Sequence, residues 1–327
     1  MELIRLFVVV LTLALLSPAS ADPIDVWLDV DPANGLVLDG RPRDVDDGLT
    51  MIQAFHSPEL RVRGVGVVFG NAPLEHALPI AKQITQRFGP EGLGVFSGAA
   101  SGDDLGAPTD ATRALVAELR QRELVVLALG PVTNIATVVR DHPELRDRIQ
   151  SIVVVAGRRP GFGFHPPGRP DLIFPDANFE KDVPGMQVLL DSDIPIRFAG
   201  YELSSDVWLT RKHLESLKTA GEVGAWIHET SQAWLARWEA REQIGFNPFD
   251  TLAVEWVIAP DRIESISVRA RIEEGLDDRA TPEQRAAGKT KHYLICEPDE
   301  TSPHRYGTKP ADGFIDRLVK TLAKPQR

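Results

Sequence analysis

The sequence predicts an α/β fold: a single domain, Rossmann-like, with a mostly parallel central sheet flanked by helices. Two observations carry this. Short β-branched runs alternate with amphipathic segments along most of the chain, the pattern of strands joined by crossover helices. A lone cysteine, Cys296, in 327 residues rules out an internal disulfide, so stability must come from one large core rather than from covalent staples.

Taken in order, residues 1–21 read as a secretory leader: a basic start, an apolar run from Leu6 to Leu16, and Ala19-Ser20-Ala21 in the small-x-small pattern of a cleavage site. The apolar run is shorter than the roughly 20 residues that span a bilayer. The expected mature chain is residues 22–327, exported to the periplasm or medium. Its strand-like runs are IDVWLDV (24–30), VRGVGVVF (62–69), LVVLAL (124–129), SIVVVAG (151–157) and IPIRFAG (194–200). Between them LEHALPIAKQITQRF, DATRALVAELRQR and VTNIATVVRDHPELRDRI repeat apolar residues at three and four, which predicts helices. The Gly/Pro-rich segment 158–175 is too long for an ordinary connection and reads as a loop that covers a substrate.

A formal charge of −11 argues against nucleic acid as a partner, because binding it requires a basic surface. Small molecules and cations remain. The stretch VWLDVDPANGLVLDGRPRDVDD, residues 26–47, crowds Asp29, Asp31, Asp44, Asp46 and Asp47 at the end of the first strand. Each carboxylate raises the cost of ionising the next, so a cation or a substrate has to compensate. Open α/β sheets bind ligands beyond the carboxyl ends of their strands, which is where these aspartates fall. Hard divalent ions take oxygen ligands, and Ca²⁺ accepts many of them in flexible geometry. That favours a metal site over a solvated acidic loop.

DVDP, the later DD followed by GLTMIQAF, VVFGN at 67–71, LGPVTNIA at 129–136, DAN at 176–178 and FDTLAVEWVIAPD at 249–261 occur here in the order in which they occur in nucleoside hydrolases. The mature chain resembles that family, the inosine-uridine-preferring type, over nearly its whole length. The resemblance implies the family's single-domain fold, a bound Ca²⁺, hydrolysis of the N-glycosidic bond of ribonucleosides to free base and ribose, and a homo-oligomer, dimer or tetramer. It makes Asp31 the catalytic base toward a calcium-bound water. Asp47 and Asp250 would ligate the ion with Asp31 and Asp29, and the backbone carbonyl of Leu129 would complete the shell. Asp46, Asn71 and Asn178 would hold ribose hydroxyls, Asp176 would reach the 5′ end of the sugar, and Phe249 would face the base.

The chemistry suits these residue types. Glycosidic cleavage passes through an oxocarbenium-like state that nearby anions stabilise. A calcium ion acidifies water less than zinc does, so a carboxylate base is still required.

Two departures from the family stand out. An insertion, ANGLVLDGRPR (33–43), separates DVDP from DVDD, so placing Asp46 and Asp47 requires it to loop out; Asp44 is the alternative. Phe249 stands where many family members carry a histidine that protonates the leaving base. With no acid there, aromatic stacking favours purines, and Trp226, Trp234 and Trp238 lie upstream on one predicted helix face. His228 and His165 are the alternative acids. Two other classes compete. A DxD phosphohydrolase would use Asp29 as nucleophile with Mg²⁺ at Asp31, yet the Ser or Thr expected shortly after DxD is missing. A nucleoside- or sugar-binding protein without turnover would have no need of a base at Asp31.

Overall fold

The computed structural model describes residues 22–166 and 168–324; the leader read in residues 1–21 lies outside them. Nine strands form the central sheet: β1 (Ile24–Val30), β2 (Leu60–Val67), β3 (Val95–Ser97), β4 (Leu124–Ala128), β5 (Ile149–Val154), β6 (Ile196–Phe198), β7 (Ile263–Leu276), β8 (Thr290–Pro298) and β9 (Arg305–Pro310). In space they run β8-β7-β9-β6-β5-β4-β1-β2-β3. Every strand is parallel to β1 except β7, which is antiparallel to both neighbours.

Period two explains the layers. Val26, Leu28 and Val30 enter one hydrophobic cluster, beneath helices Asp46–His56, Leu74–Phe88, Gly221–Glu239 and Thr251–Ile258, while Trp27 enters a second cluster under Asp110–Leu119, Thr133–Asp141 and Val183–Leu190. Both faces are covered, as a parallel sheet demands. The five expected strands and three expected helices are present, with shifted ends. The segment expected as one helix from 132 to 149 divides into Thr133–Asp141 and a tighter turn, Pro143–Arg148, because proline disfavours helical backbone in the residue before it. Strand β3 on one edge and strands β7 to β9 on the other extend the sheet beyond the expected ones.

The insertion loops out. Val37–Leu38 pairs with Arg41–Pro42 around Asp39 and Gly40, whose φ angles are 50° and 68°, a two-residue hairpin turn for which Asp-Gly is well suited. Arg43 N–H closes the loop onto the Leu36 carbonyl at 3.0 Å. The Asn34 amide then holds the Val45 carbonyl at 2.8 Å, so helix Asp46–His56 starts beside the end of β1.

Candidate active site

The carboxyl end of the sheet opens into a cavity of about 410 Å³, within the range of small-molecule sites. Its floor is acidic: Asp31, Asp44, Asp46, Asp47 and Asp250 all line it. Asp31 follows β1, Asp46 and Asp47 begin helix Asp46–His56, and Asp250 immediately precedes helix Thr251–Ile258. Two helix N-termini therefore point partial positive charge at the floor. The Asp31 N–H donates to Asp47 Oδ1 at 2.9 Å, and the Asn71 N–H donates to Asp31 Oδ2 at 2.6 Å. That second contact explains Gly70: its φ is +154°, and a Cβ there would lie 1.9 Å from Asp31 Oδ2.

Burial raises every one of these carboxyls. Asp31 is pushed up to about 7 by desolvation, against hydrogen bonding from Asp47 and the charge of Lys181. Asp46 also rises to about 7, first by burial and then by Asp47. Asp44, Asp47 and Asp250 are likewise raised, by burial and then by one another or by their carboxylate neighbours. Lys181 and the two arginines that line the cavity, Arg237 and Arg241, do not balance five carboxylates, and among the described residues no ion pair joins them to the cluster. Ligand oxygens of Asp46, Asp47 and Asp250 lie within 4.8 Å of one another and all three residues are buried. An all-oxygen donor set of this charge fits a hard divalent cation.

The other expected residues fall as follows. Asp44 precedes the Val45 N-cap of the helix, its Oδ1 accepting from the Val45 and Asp46 N–H groups at 2.7 and 3.3 Å. Asn71 is locked to Asp44 by a reciprocal pair, Asp44 N–H to its Oδ1 at 3.1 Å and its Nδ2 to the Asp44 carbonyl at 3.0 Å. Asn178 Nδ2 donates to the Leu129 carbonyl at 2.7 Å and to the Val155 carbonyl at 3.2 Å, and both Leu129 and Asn178 line the cavity. Asp176 lines it too, accepts from the Gly157 N–H at 2.9 Å, and is pushed up to about 7 by burial against the pull of Arg158.

Asp29 lies elsewhere than the resemblance implied. Still inside β1, it faces the same side as Trp27, over Gly66, and its carboxylate accepts from Asn134 Nδ2 at 3.2 Å and Trp27 Nε1 at 3.4 Å. It does not line the cavity. Its backbone carbonyl accepts from the Leu129 N–H at 2.8 Å, so its role here is to fix strand ends. Asp46, expected on the ribose, stands in the carboxylate cluster with Asp47 and Asp250.

The opposite wall is aromatic. Phe249 lies 6.0 Å from Tyr201 and 6.4 Å from Trp238 between ring centroids, and Phe174 lies 5.3 Å from Trp238. Loop 158–175 supplies Phe164, Leu172, Ile173 and Phe174 to the lining. The tryptophan stripe divides: Trp234 and Trp238 line the cavity, whereas Trp226 packs on Phe88 in the core at 5.4 Å. Sequence reading missed Tyr201, whose hydroxyl is buried with no hydrogen-bond partner, and Lys181; no motif marks either. His228 pairs with Glu215 at 3.0 Å and His165 contacts the Pro166 carbonyl at 3.3 Å. Neither lines the cavity.

Comparison with known proteins agrees with this geometry. A family model described as inosine-uridine preferring nucleoside hydrolase matches residues 26–298. A probable uridine nucleosidase of rice is 25% identical over 57% of this chain and 64% of its own length. The pyrimidine-specific ribonucleoside hydrolase RihA of Klebsiella pneumoniae is 24% identical over 74% of this chain and 82% of its own. Among solved structures, a plant nucleoside hydrolase aligns with a TM-score of 0.72 at 18% identity, over 93% of this chain and 100% of that one. A purine-preferring ribonucleoside hydrolase from Gardnerella vaginalis aligns at 0.69 and 19% identity, over 91% and 96%. The nine-stranded sheet and its flanking helices are the fold these structures share.

Proposed function

This chain belongs to the inosine-uridine preferring nucleoside hydrolase family, and from that premise we propose that it hydrolyses the N-glycosidic bond of ribonucleosides, purines in preference, with a bound Ca²⁺. One observation carries the reading: a positioned carboxylate, Asp31, adjoins a buried trio of carboxylates at the floor of a cavity whose far wall is aromatic.

Asp47 and Asp250 are the ligands on which the resemblance and the observed cluster agree; Asp46 completes the trio, with Asp31 and the Leu129 carbonyl beside it. When bound, the ion offsets the buried negative charge and makes water a better nucleophile. The residues of the chain do the rest. Asp31, oriented by the Asn71 N–H, takes a proton from the attacking water. Carboxylates that remain ionised beneath the ring stabilise the positive charge that develops on the sugar. Toward the ribose hydroxyls Asn178 offers its Oδ1 as acceptor, its Nδ2 being taken by the Leu129 and Val155 carbonyls, and Asn71, paired with the Asp44 backbone, offers its second Nδ2 hydrogen; Asp176 stands toward the 5′ end.

On the base side Phe249 cannot protonate a leaving group. Phe249, Trp234 and Trp238 offer ring faces, each well-placed pair contributing roughly 1 kcal/mol, and the larger surface of a purine gains more. The Tyr201 hydroxyl is a buried donor on that wall. The proposal extends to compartment: with the leader of residues 1–21 removed, the reaction takes place outside the cytoplasm, and mass spectrometry of the exported protein should find a chain beginning at Asp22.

The test is kcat/KM across a nucleoside panel. Inosine, adenosine and guanosine are expected to exceed uridine and cytidine, with 2′-deoxy analogues poor. A preference for uridine would overturn the purine reading and leave hydrolysis standing. Turnover of phosphate esters but of no nucleoside would overturn both.

A further inference from the structure

The floor of the cavity crowds carboxylates; its rim crowds guanidiniums. Arg237 and Arg241 line the cavity, and strand Arg41–Pro42 of the inserted hairpin packs against helix Gly221–Glu239, which carries Arg237. Arg41 and Arg43 thereby stand near Arg237, beside the cavity rather than in its lining. Burial first, and then Arg241, Arg41 and Arg43, lower the Arg237 guanidinium from its ordinary value, with Asp44 the opposing neighbour.

Elsewhere in this chain arginines of similar depth meet carboxylates: Arg63 with Asp25 at 2.9 Å, Arg317 with Glu255 at 3.0 Å. Among the described residues none of the four rim side chains has an ion pair or a hydrogen bond, and the Nε atoms of Arg43 and Arg237 are buried with no partner. The one aromatic contact, Arg237 over Trp234 at 5.7 Å, holds the guanidinium against the cavity wall without neutralising it. Four guanidiniums gathered with no carboxylate in ion-pair contact, Asp44 being the opposing charge nearby, leave N–H donors free to take an anion. Guanidinium is the group best shaped for phosphate, through paired N–H donors. Two of the four guanidiniums line the cavity, so the anion is part of what enters it.

We propose that the arginine rim binds a phosphate group on the substrate, making this chain a hydrolase of ribonucleotides as well as of ribonucleosides. The inference rests on the nucleoside-hydrolase reading above. The balance is unchanged: the C1′–N bond breaks, water supplies the oxygen of the new C1′–O bond and a proton for the departing base, and the phosphate ester stays intact on the released ribose phosphate. Two of the four arginines come from the insertion, which gives that segment a purpose the ribose site does not.

The experiment uses the calcium-loaded mature protein at low ionic strength. It compares kcat/KM for inosine and uridine with that for their 5′- and 3′-monophosphates, in the wild type and in Arg41→Gln/Arg43→Gln. One monophosphate should exceed its nucleoside by about tenfold or more, the size of a charge-assisted bidentate contact, and the advantage should shrink as salt rises. In the double variant the advantage should disappear while nucleoside turnover stays within about twofold, because the altered side chains are not part of the ribose site; Arg43→Lys alone should retain part of it. Nucleosides cleaved as well as both monophosphates, or a double variant that lowers both substrate classes equally, overturns the rim assignment and leaves the hydrolase reading intact. If nothing is turned over, calorimetric titration with the same ligands separates the two ideas: tighter binding of a monophosphate, lost in the double variant, keeps the rim and defeats hydrolysis, whereas equal binding defeats the rim.

Discussion

At the scale of single residues the site separates into groups that do chemistry and groups that hold them. Asp31 belongs to the first: beyond the end of β1, its Oδ2 is fixed by the Asn71 N–H at 2.6 Å. Asp31→Asn keeps shape and metal ligands nearby but removes the base, so kcat should fall by a factor on the order of a hundred or more, in a protein that still folds and still binds calcium. Full activity would move the base to another aspartate. Asp250→Ala is expected to act differently, opening the buried trio and losing the ion, as elemental analysis after gel filtration would show. Tyr201→Phe tests the base pocket: kcat for purines should drop several-fold if the hydroxyl donates to the leaving group, a loss of about one hydrogen bond, and pyrimidines should change less. Sequence alone placed Asp31, Asp47 and Asp250 on the cavity because motif order fixes which strand or helix end carries them. It misplaced Asp29, since the pleat decides which face a residue near a strand end takes, and Asp29 shares the face of Trp27, over Gly66.

Among elements, the helix Gly221–Glu239 and the hairpin at 33–43 show what periodicity can and cannot tell. A tryptophan stripe at spacings of eight and four predicts a shared face. It does not tell that the face runs from core to cavity, leaving Trp226 at Phe88 and Trp238 at Phe249. Trp234→Ala, removing a half-buried wall ring, should raise KM for inosine about fivefold, the equivalent of roughly 1 kcal/mol of stacking, with little change in Tm. A larger fall in Tm than in affinity would make the ring structural. The segment was legible as an insertion that loops out, but its hairpin and its packing on a helix some 200 residues later in the chain were not, because long-range contacts leave no local signal. The same limit hid Tyr201, whose meaning comes entirely from the Phe249 and Phe174 rings around it. Strands β3 and β7 to β9 escaped for another reason: β3 is only three residues long, and β7 and β8 lack a continuous apolar run, being half exposed near the edge of the sheet.

For the whole molecule, the alternation of β-branched and amphipathic segments was enough to specify a parallel sheet covered on both faces, and the strand-end rule placed the site. The cost of that site is global. Between about pH 4 and 7 the folded, metal-free chain retains protons on Asp29, Asp31 and Asp46 that the unfolded chain has released. The folded state thus binds more protons, and stability without metal should fall as pH rises through that window. Calcium removes the penalty for the clustered carboxylates, so the rise in Tm on adding the ion should be larger at pH 8 than at pH 5. A metal-free Tm that climbs with pH across the same range would mean that the carboxylates are compensated by something other than a cation. The central claim, that these carboxylates hold a calcium ion for nucleoside hydrolysis, is tested most directly by kcat/KM for inosine at pH 8 after exhaustive chelation and again after Ca²⁺ is returned. The expected result is loss of turnover by at least about a hundredfold on chelation, restored by about one equivalent of Ca²⁺ in the wild type and not in Asp250→Ala; turnover indifferent to chelation would contradict it.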